Sequence, residues 1–290
     1  MYNQIESNKR KTNILIIIFC LFIISVAWLL NNYLNYGYEM VIFAVLLSIF
    51  MSVFSYFGSD KIALASTGAK KIIKENNPQV YRLVENLCIT AGIPTPQIYI
   101  INSPALNAFA TGRDPKHASI ALTSGIINAL ENEELEGVIA HELSHIKNYD
   151  IRLMTIVVVL VGTLSLLADM FYRIKIFGGR DSENKNNNAF FLIFSLILLL
   201  ISPLVANLIK LAISRKREYL ADADGAMLTR YPEGLARALE KINSSNQTLK
   251  TADAATAHLF IANPFNKKSF LNLFSTHPPI DDRIKKLRGI

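Results

Sequence analysis

Long uninterrupted apolar runs separate stretches of amphipathic and polar sequence in this chain. Asn13 to Leu30 has no charged residue, and Gly37 to Tyr56 has only Glu39, at its edge. Ile151 to Tyr172 starts beside Arg152 and carries Asp169 near its end, and Ala189 to Ile213 includes Pro203 and Lys210. Each run approaches or exceeds the roughly 20 apolar residues that a helix needs to cross a bilayer, so two membrane hairpins are expected. The first run is longer than a signal-peptide core, and no small-residue cleavage site follows it. Tyr33, Tyr36 and Tyr38 succeed it as an interfacial aromatic belt would, so it reads as a retained anchor.

Outside the hairpins the pattern is that of soluble elements. Asn77 to Cys88 predicts an amphipathic helix with Pro78 near its start, Gly92 to Pro96 a turn, and Gln97 to Ile101 a strand. Asn107 to Thr111 and Ser119 to Thr123 predict strands paired around Gly112-Arg113-Asp114-Pro115. Helices are expected at Gly125 to Leu130, Glu133 to Asp150 and Asp281 to Leu287. In the second of these no Pro intervenes up to Tyr149, and Leu135, Val138, Ile139 and Leu143 mark one apolar face. The chain therefore divides into an N-terminal segment 1–12, a hairpin 13–56, a soluble part 57–150, a second hairpin 151–213 and a soluble part 214–290. The second hairpin's tip, 173–188, includes the polar, low-complexity Asp181 to Asn188. The two soluble parts together are of domain size. The expected fold class is an α-helical membrane protein carrying a mainly α, α+β domain.

The chemistry concentrates on His141-Glu142-Leu143-Ser144-His145, an H-E-x-x-H pattern inside the predicted Glu133 to Asp150 helix. Residues four apart share a helix face, so both imidazoles can reach one zinc ion at roughly 2.0–2.1 Å. Glu142 is not needed as a ligand. It is placed to take a proton from a water that the ion has made acidic, as that water attacks a carbonyl. In a chain with five His the pattern is rarely a coincidence. A zinc hydrolase needs a third protein ligand. Glu218, in Glu218-Tyr219-Leu220-Ala221-Asp222, is best placed, with Asp222 on the same face to accept the free ring N–H of a ligand histidine. Asp150, Asp169, Asp224 and Glu240 are its rivals. Asp150 lies too close in sequence to fold back onto its own helix, and Asp224 sits about 120° round from Glu218. His145 precedes the second hairpin and Glu218 follows it, so that hairpin crosses the membrane twice or not at all. Span length favours two crossings, against Arg173, Lys175, Arg180 and Lys185 in the tip.

These motifs, with Ser275-Thr276-His277-Pro278-Pro279 and Asn107-Ala108-Phe109-Ala110-Thr111-Gly112, resemble those of the HtpX-type membrane zinc metalloproteases, heat-shock enzymes related to the CAAX prenyl proteases. The resemblance spans nearly the whole chain. It implies a zincin-like catalytic domain, one Zn2+ per chain on His141, His145 and Glu218, Glu142 as general base, and transition-state roles for His277 and Arg283. Asn107, Ala108, Phe109 and Ala110 lie where such enzymes commonly place an edge strand, to which a substrate backbone can add by main-chain hydrogen bonds. His277, on a stiff loop before two prolines, could donate to a developing oxyanion, with Arg283 assisting. His117 and His258 read as surface or packing residues. The activity implied is endopeptidase cleavage of proteins or peptides, by resemblance misfolded membrane proteins at a bacterial inner membrane. A prenyl-peptide protease of the same family would need a larger, many-helix chamber. An intramembrane protease would need a less polar motif helix than one flanked by Glu133, Glu134, Glu136, Lys147 and Asn148. A metal transporter or scaffold would have no use for Glu142.

Composition agrees with the membrane reading, since 51% of residues are hydrophobic and 18% charged. The net charge of +7 suits the cytoplasmic face of an anionic bilayer. The basic residues are scattered and match no recognition motif, so nucleic acid is not an expected partner. Lys9, Arg10 and Lys11 precede the first run, Asn31 to Tyr36 has no basic residue, and Lys61, Lys70, Lys71 and Lys74 follow the second. This bias puts the N-terminus and the zinc motif in the cytoplasm. Cys20 lies in the first span and Cys88 in a cytoplasmic helix, so they are not expected to pair.

Overall fold

The computed structural model describes residues 2–34, 38–177, 214–245, 247–249, 251–252, 255–264 and 278–289. The expected fourth span, most of the second hairpin's tip and His277 lie outside these residues. Among the described residues, two helices are long and apolar enough to cross a membrane, Ile5–Trp28 within α1 (Tyr2–Leu34) and Val41–Ser66 within α2 (Tyr38–Ser66). They pack on each other yet leave large apolar side chains outward, such as Leu21, Phe43 and Phe50. A helix that is apolar all round suits lipid rather than water. Both helices extend beyond the apolar runs into polar sequence, so each rises out of the span as a continuous rod.

The polar lobe is built on a four-stranded sheet. Its strands are β1 (Lys70–Lys71), β2 (Gln97–Ile101), β3 (Ala108–Asp114) and β4 (His117–Thr123), in the order β1-β2-β4-β3. β3 and β4 are the antiparallel pair expected around 112–115, and β2 adds parallel to β4. β3 therefore forms one edge of the sheet. α3 (Pro78–Ala91) opens with Asn77, whose side chain accepts the Val80 N–H, and Pro78 fills the first helical position, where its missing N–H costs nothing. α4 (Ser124–Ala129) follows β4 directly.

α5 (Asn132–Lys147) is the centre of the lobe, with almost every residue from Glu134 to Ile146 buried. Glu131 and Glu134 cap its start reciprocally. It lies against α3 and β3 on one side, and on the other against α7 (Arg215–Thr229) and α8 (Pro232–Ser244). Two glycines set these distances. A Cβ on Gly137 would lie 2.6 Å from the Leu235 N of α8, and one on Gly225 of α7 would lie 3.0 Å from the His141 N. Both helices thus approach α5 as closely as backbones allow.

The helix expected from Glu133 to Asp150 ends early. α5 stops at Lys147, Tyr149 takes φ 58°, and α6 (Asp150–Phe177) departs at 82°. Apolar periodicity continues on both sides of the break, and the residue that turns left-handed is a tyrosine rather than a glycine, so the sequence carried no stop signal. Leu153, Ile156, Val157, Leu160 and Leu164 of α6 pack with Leu15 and Phe19 of α1 in a cluster separate from the core of the lobe. Among the described residues, α5 and the Asp150–Ser165 part of α6 are together long and apolar enough to cross a membrane, with the 82° bend between them. α9 (Ile280–Leu287) closes the lobe against α8.

Candidate active site

His141 and His145 project from one face of α5, and their Nε2 atoms stand 3.2 Å apart. Glu218, in the first turn of α7, reaches the same point. Its Oε1 is 3.6 Å from His145 Nε2 and its Oε2 is 3.9 Å from His141 Nε2. All three side chains are buried, and one ligand atom from each lies within 4.8 Å of the others. Donors held at 2.0–2.1 Å around a tetrahedral ion stand about 3.3 Å from one another, so these separations fit a single small cation. A second observation agrees. The Nδ1 of His141 lies 3.0 Å from Asp222 Oδ1, and the Nδ1 of His145 lies 3.0 Å from Asp150 Oδ2. A carboxylate holds the ring proton on Nδ1, so both Nε2 lone pairs face each other, an arrangement that is repulsive unless a cation or proton lies between them.

The surrounding charges are fixed by burial. Burial drives Asp222 toward its neutral form, but the Arg283 guanidinium and His141 overcome this and hold it ionised, down to about 2. Arg283 is fully buried on α9 and grips Asp222 with two bonds, Nε to Oδ2 at 2.8 Å and Nη2 to Oδ1 at 2.6 Å. Its Nη1 donates to the Ile261 carbonyl at 3.1 Å and lies 3.9 Å from Glu218 Oε2. His141 is held below its usual value by burial, against the pull of Asp222, and so stays neutral. Burial also opposes charge on His145, but the Asp150 hydrogen bond and nearby Glu218 raise it to about 9. Glu142, also buried, is pushed up to about 7 by burial and by Glu218, while His145, Arg283 and the Ala110 N–H oppose the rise.

By sequence Asp150 lies too close to the histidines to fold back onto its own helix. The break at Tyr149 lets it fold back, and it reaches the far nitrogen of His145 rather than the cluster centre. Its other oxygen accepts from Asn8 Nδ2 at 2.6 Å, and Arg217 Nη1 stands 3.7 Å away. Asn8, on α1, also donates to the Asn148 carbonyl. No sequence signal joins Asn8 to a histidine more than a hundred residues on. Asp224 faces away as its helical phase required, accepting from Ser144 and Asn148. Glu240 pairs with Arg288. His117 is exposed beside Asp114, and His258 is buried with its Nε2 on the Met154 carbonyl.

The edge strand lies alongside this cluster. Thr123 donates to the Asn107 carbonyl, which fixes the alternation and turns the backbone groups of Ala108, Ala110 and Gly112 to the outer edge. The Ala108 carbonyl accepts from Ile261 N–H at 3.0 Å, the Gly112 N–H donates to Thr155 Oγ1, and the Ala110 N–H favours the ionised form of Glu142. The Asn107 amide bonds both the carbonyl and the N–H of Ala262, and Phe109 meets Phe260 edge to face at 5.1 Å.

The model of peptidase family M48 matches residues 74–290. A protease HtpX homolog from Dictyoglomus thermophilum is 46% identical over 287 residues, covering 99% of this chain and 94% of its own. One from Caldanaerobacter subterraneus subsp. tengcongensis is 45% identical over 294 residues, covering 100% and 98%. Among solved structures, a crystal structure of S. mikatae Ste24p aligns over 99% of this chain and 67% of its own with a TM-score of 0.51 and 18% identity, a likeness of fold.

Proposed function

Since the chain belongs to peptidase family M48 and is a membrane-anchored metalloprotease, we propose that one zinc ion per chain sits on His141, His145 and Glu218 and that Glu142 is the general base. The observation that carries this is the convergence of two Nε2 atoms and one carboxylate at a buried point, with both Nδ1 atoms turned to carboxylates. The donor set of two imidazoles and one carboxylate, with no thiolate, is that of a catalytic zinc site, which leaves a position for water. When bound, the ion polarises a carbonyl and makes a water acidic.

The rest is supplied by the chain. Asp222 and Asp150 orient the two imidazoles, and Arg283 holds Asp222 ionised. Glu142, poised near neutral pH by burial, takes a proton from the attacking water and returns it to the leaving amine. The outer edge of β3, from Asn107 to Ala110, receives an extended substrate backbone beside Glu142 by displacing Ile261 and Ala262, which bond it here. His277, immediately before the described segment that begins at 278, is the proposed oxyanion donor. The basic bias around the first hairpin supports a cytoplasmic site, and the likeness to bacterial HtpX homologs supports an inner membrane with damaged membrane proteins as substrates.

The test is Glu142→Gln in the detergent-purified full chain. Metal analysis should find one zinc per chain, as in the parent protein, and casein cleavage should fall by at least about a hundredfold, the scale of losing a general base. Cleavage at the parent rate would sink the mechanism.

A further inference from the structure

A cleft of about 500 Å³ opens between the N-terminal parts of α1 and α6, the loop at 92–94 and the β3–β4 turn, and none of His141, His145 and Glu218 lines it. Its volume falls within the roughly 300–1,000 Å³ of small-ligand sites. Lys9 of α1, Arg152 of α6 and Lys116 of the turn line it, together with Tyr149, Ile93 and Pro94. Asp114 is the one carboxylate in the lining, and it is already engaged. It accepts from the N–H groups of Lys116 and His117 and lies 2.8 Å from His117 Nδ1. Among the described residues, Lys9, Lys116 and Arg152 have no carboxylate within 4.0 Å. Arg152 spends its Nε on the Arg113 carbonyl at 2.6 Å, and its guanidinium lies over the rings of Tyr56 and Tyr149, 5.4 and 5.3 Å from their centroids. Lys9 Nζ lies 4.6 Å over the Tyr149 ring. Lys9 and Arg152 are thus braced by aromatic faces, and among the described residues they and Lys116 are left without anions.

The depth of the cleft identifies the anion. Ile14, the first large exposed apolar residue of α1, comes five residues after Lys9, a rise of about 7 Å along the helix. On α6 the apolar run starts at Ile151, beside Arg152. Where these helices pack together, the cations therefore stand at the level where polar sequence gives way to the span, the level of lipid headgroups. Basic pockets between membrane helices on this side of a bilayer are suited to phosphate headgroups, and the aromatic rings are those of an interfacial belt. We infer that this cleft binds the phosphate headgroup of one anionic phospholipid, with Lys9, Lys116 and Arg152 as its cationic contacts. The inference needs α1 to span the bilayer but not the proposed catalytic roles, so the zinc and casein tests can fail without touching it.

The experiment titrates the full chain, purified in neutral detergent, with short-chain phosphatidylglycerol, phosphatidylcholine or inorganic phosphate, and counts bound molecules by native mass spectrometry. One tight phosphatidylglycerol per chain is expected, with phosphatidylcholine clearly weaker. A cation near a lipid surface contributes about fivefold in affinity, so Lys9→Gln with Lys116→Gln should weaken phosphatidylglycerol about thirtyfold at an unchanged thermal midpoint. Arg152→Gln, tested alone, should weaken it about fivefold or more. Equal affinity for the two lipids would overturn the proposal, as would an unchanged affinity in the folded double variant. Displacement of phosphatidylglycerol by an equal concentration of inorganic phosphate would also overturn it, marking a site for free anions rather than lipid.

Discussion

Asp150→Asn probes the support of the metal cluster at its least obvious point. Asp150 is 1% exposed and holds His145 Nδ1 at 3.0 Å, so the substitution replaces a carboxylate acceptor by a neutral amide. Loss of such a partner costs about 10–100-fold in metal affinity, or about 1.4–2.7 kcal/mol. The carboxylate also keeps a proton on His145 that a metal must displace, and the empirical range already contains that competition. A second effect falls on the fold. If the new amide oxygen stays on His145, its NH2 points at Asn8 Nδ2, where Asp150 Oδ1 accepted at 2.6 Å. Flipping Asn8 to relieve this would turn its oxygen toward the Asn148 carbonyl that it now bonds. One buried group is left unsatisfied either way, at about 1–3 kcal/mol. Zinc titration against a competing chelator, with the thermal midpoint of the metal-free protein measured in parallel, separates the two effects. Zinc affinity within twofold of the parent protein would refute the reasoning, because Asp150 would then be irrelevant to the metal.

Three further outcomes follow from the structure. Glu218→Ala should lose stoichiometric zinc and casein cleavage together, and retention of zinc at parent affinity would name another third ligand. Burial raises the Cys88 thiol to about 11 despite a hydrogen bond from Thr95, so the native protein should resist iodoacetamide at pH 8 and react only as the pH approaches 11. Because the folded value is the higher one, this group's contribution to stability is complete below pH 9 and lost as pH rises through 11; rapid alkylation at pH 8 would show that the site opens. With Cys20 and Cys88 replaced, a cysteine at Asn32 should label from outside intact cells with an impermeant reagent and one at Ala69 should not, and labelling at Ala69 would reverse the proposed orientation.

The elements that could be read ahead of the structure were those with a strictly local cause. The strand Gln97–Ile101 and the antiparallel pair around 112–115 lie where alternation and turn residues put them, and α3 begins at the expected Pro78. His141, His145, Glu218 and Asp222 meet because both pairs are spaced four apart on helices, and a shared face survives whatever angle the helices adopt. The end of α5 was not legible, since Tyr149 turns left-handed under tertiary constraint. With that break hidden, Asp150 could only look misplaced. Asn8 and Ile261 were invisible for a related reason: their partners are set by how separate segments pack, which no spacing rule encodes.

The hydrogen bond from Ile261 to Ala108 bears on how the enzyme chooses its targets. If β3 is where substrates pair, its docking groups at Asn107 and Ala108 are already taken by the chain's own Ile261 and Ala262. A substrate must compete with a tethered rival, and its apparent affinity is the intrinsic one reduced by the fraction of molecules in which that rival has let go. Arg283 bonds the Ile261 carbonyl while gripping Asp222, so one side chain touches both the rival and the metal cluster. A folded neighbour whose backbone is already paired gains nothing by entering the contest. A chain with unpaired extended backbone does, so under the proposed docking on β3 these internal hydrogen bonds would favour an unfolded segment over a folded one.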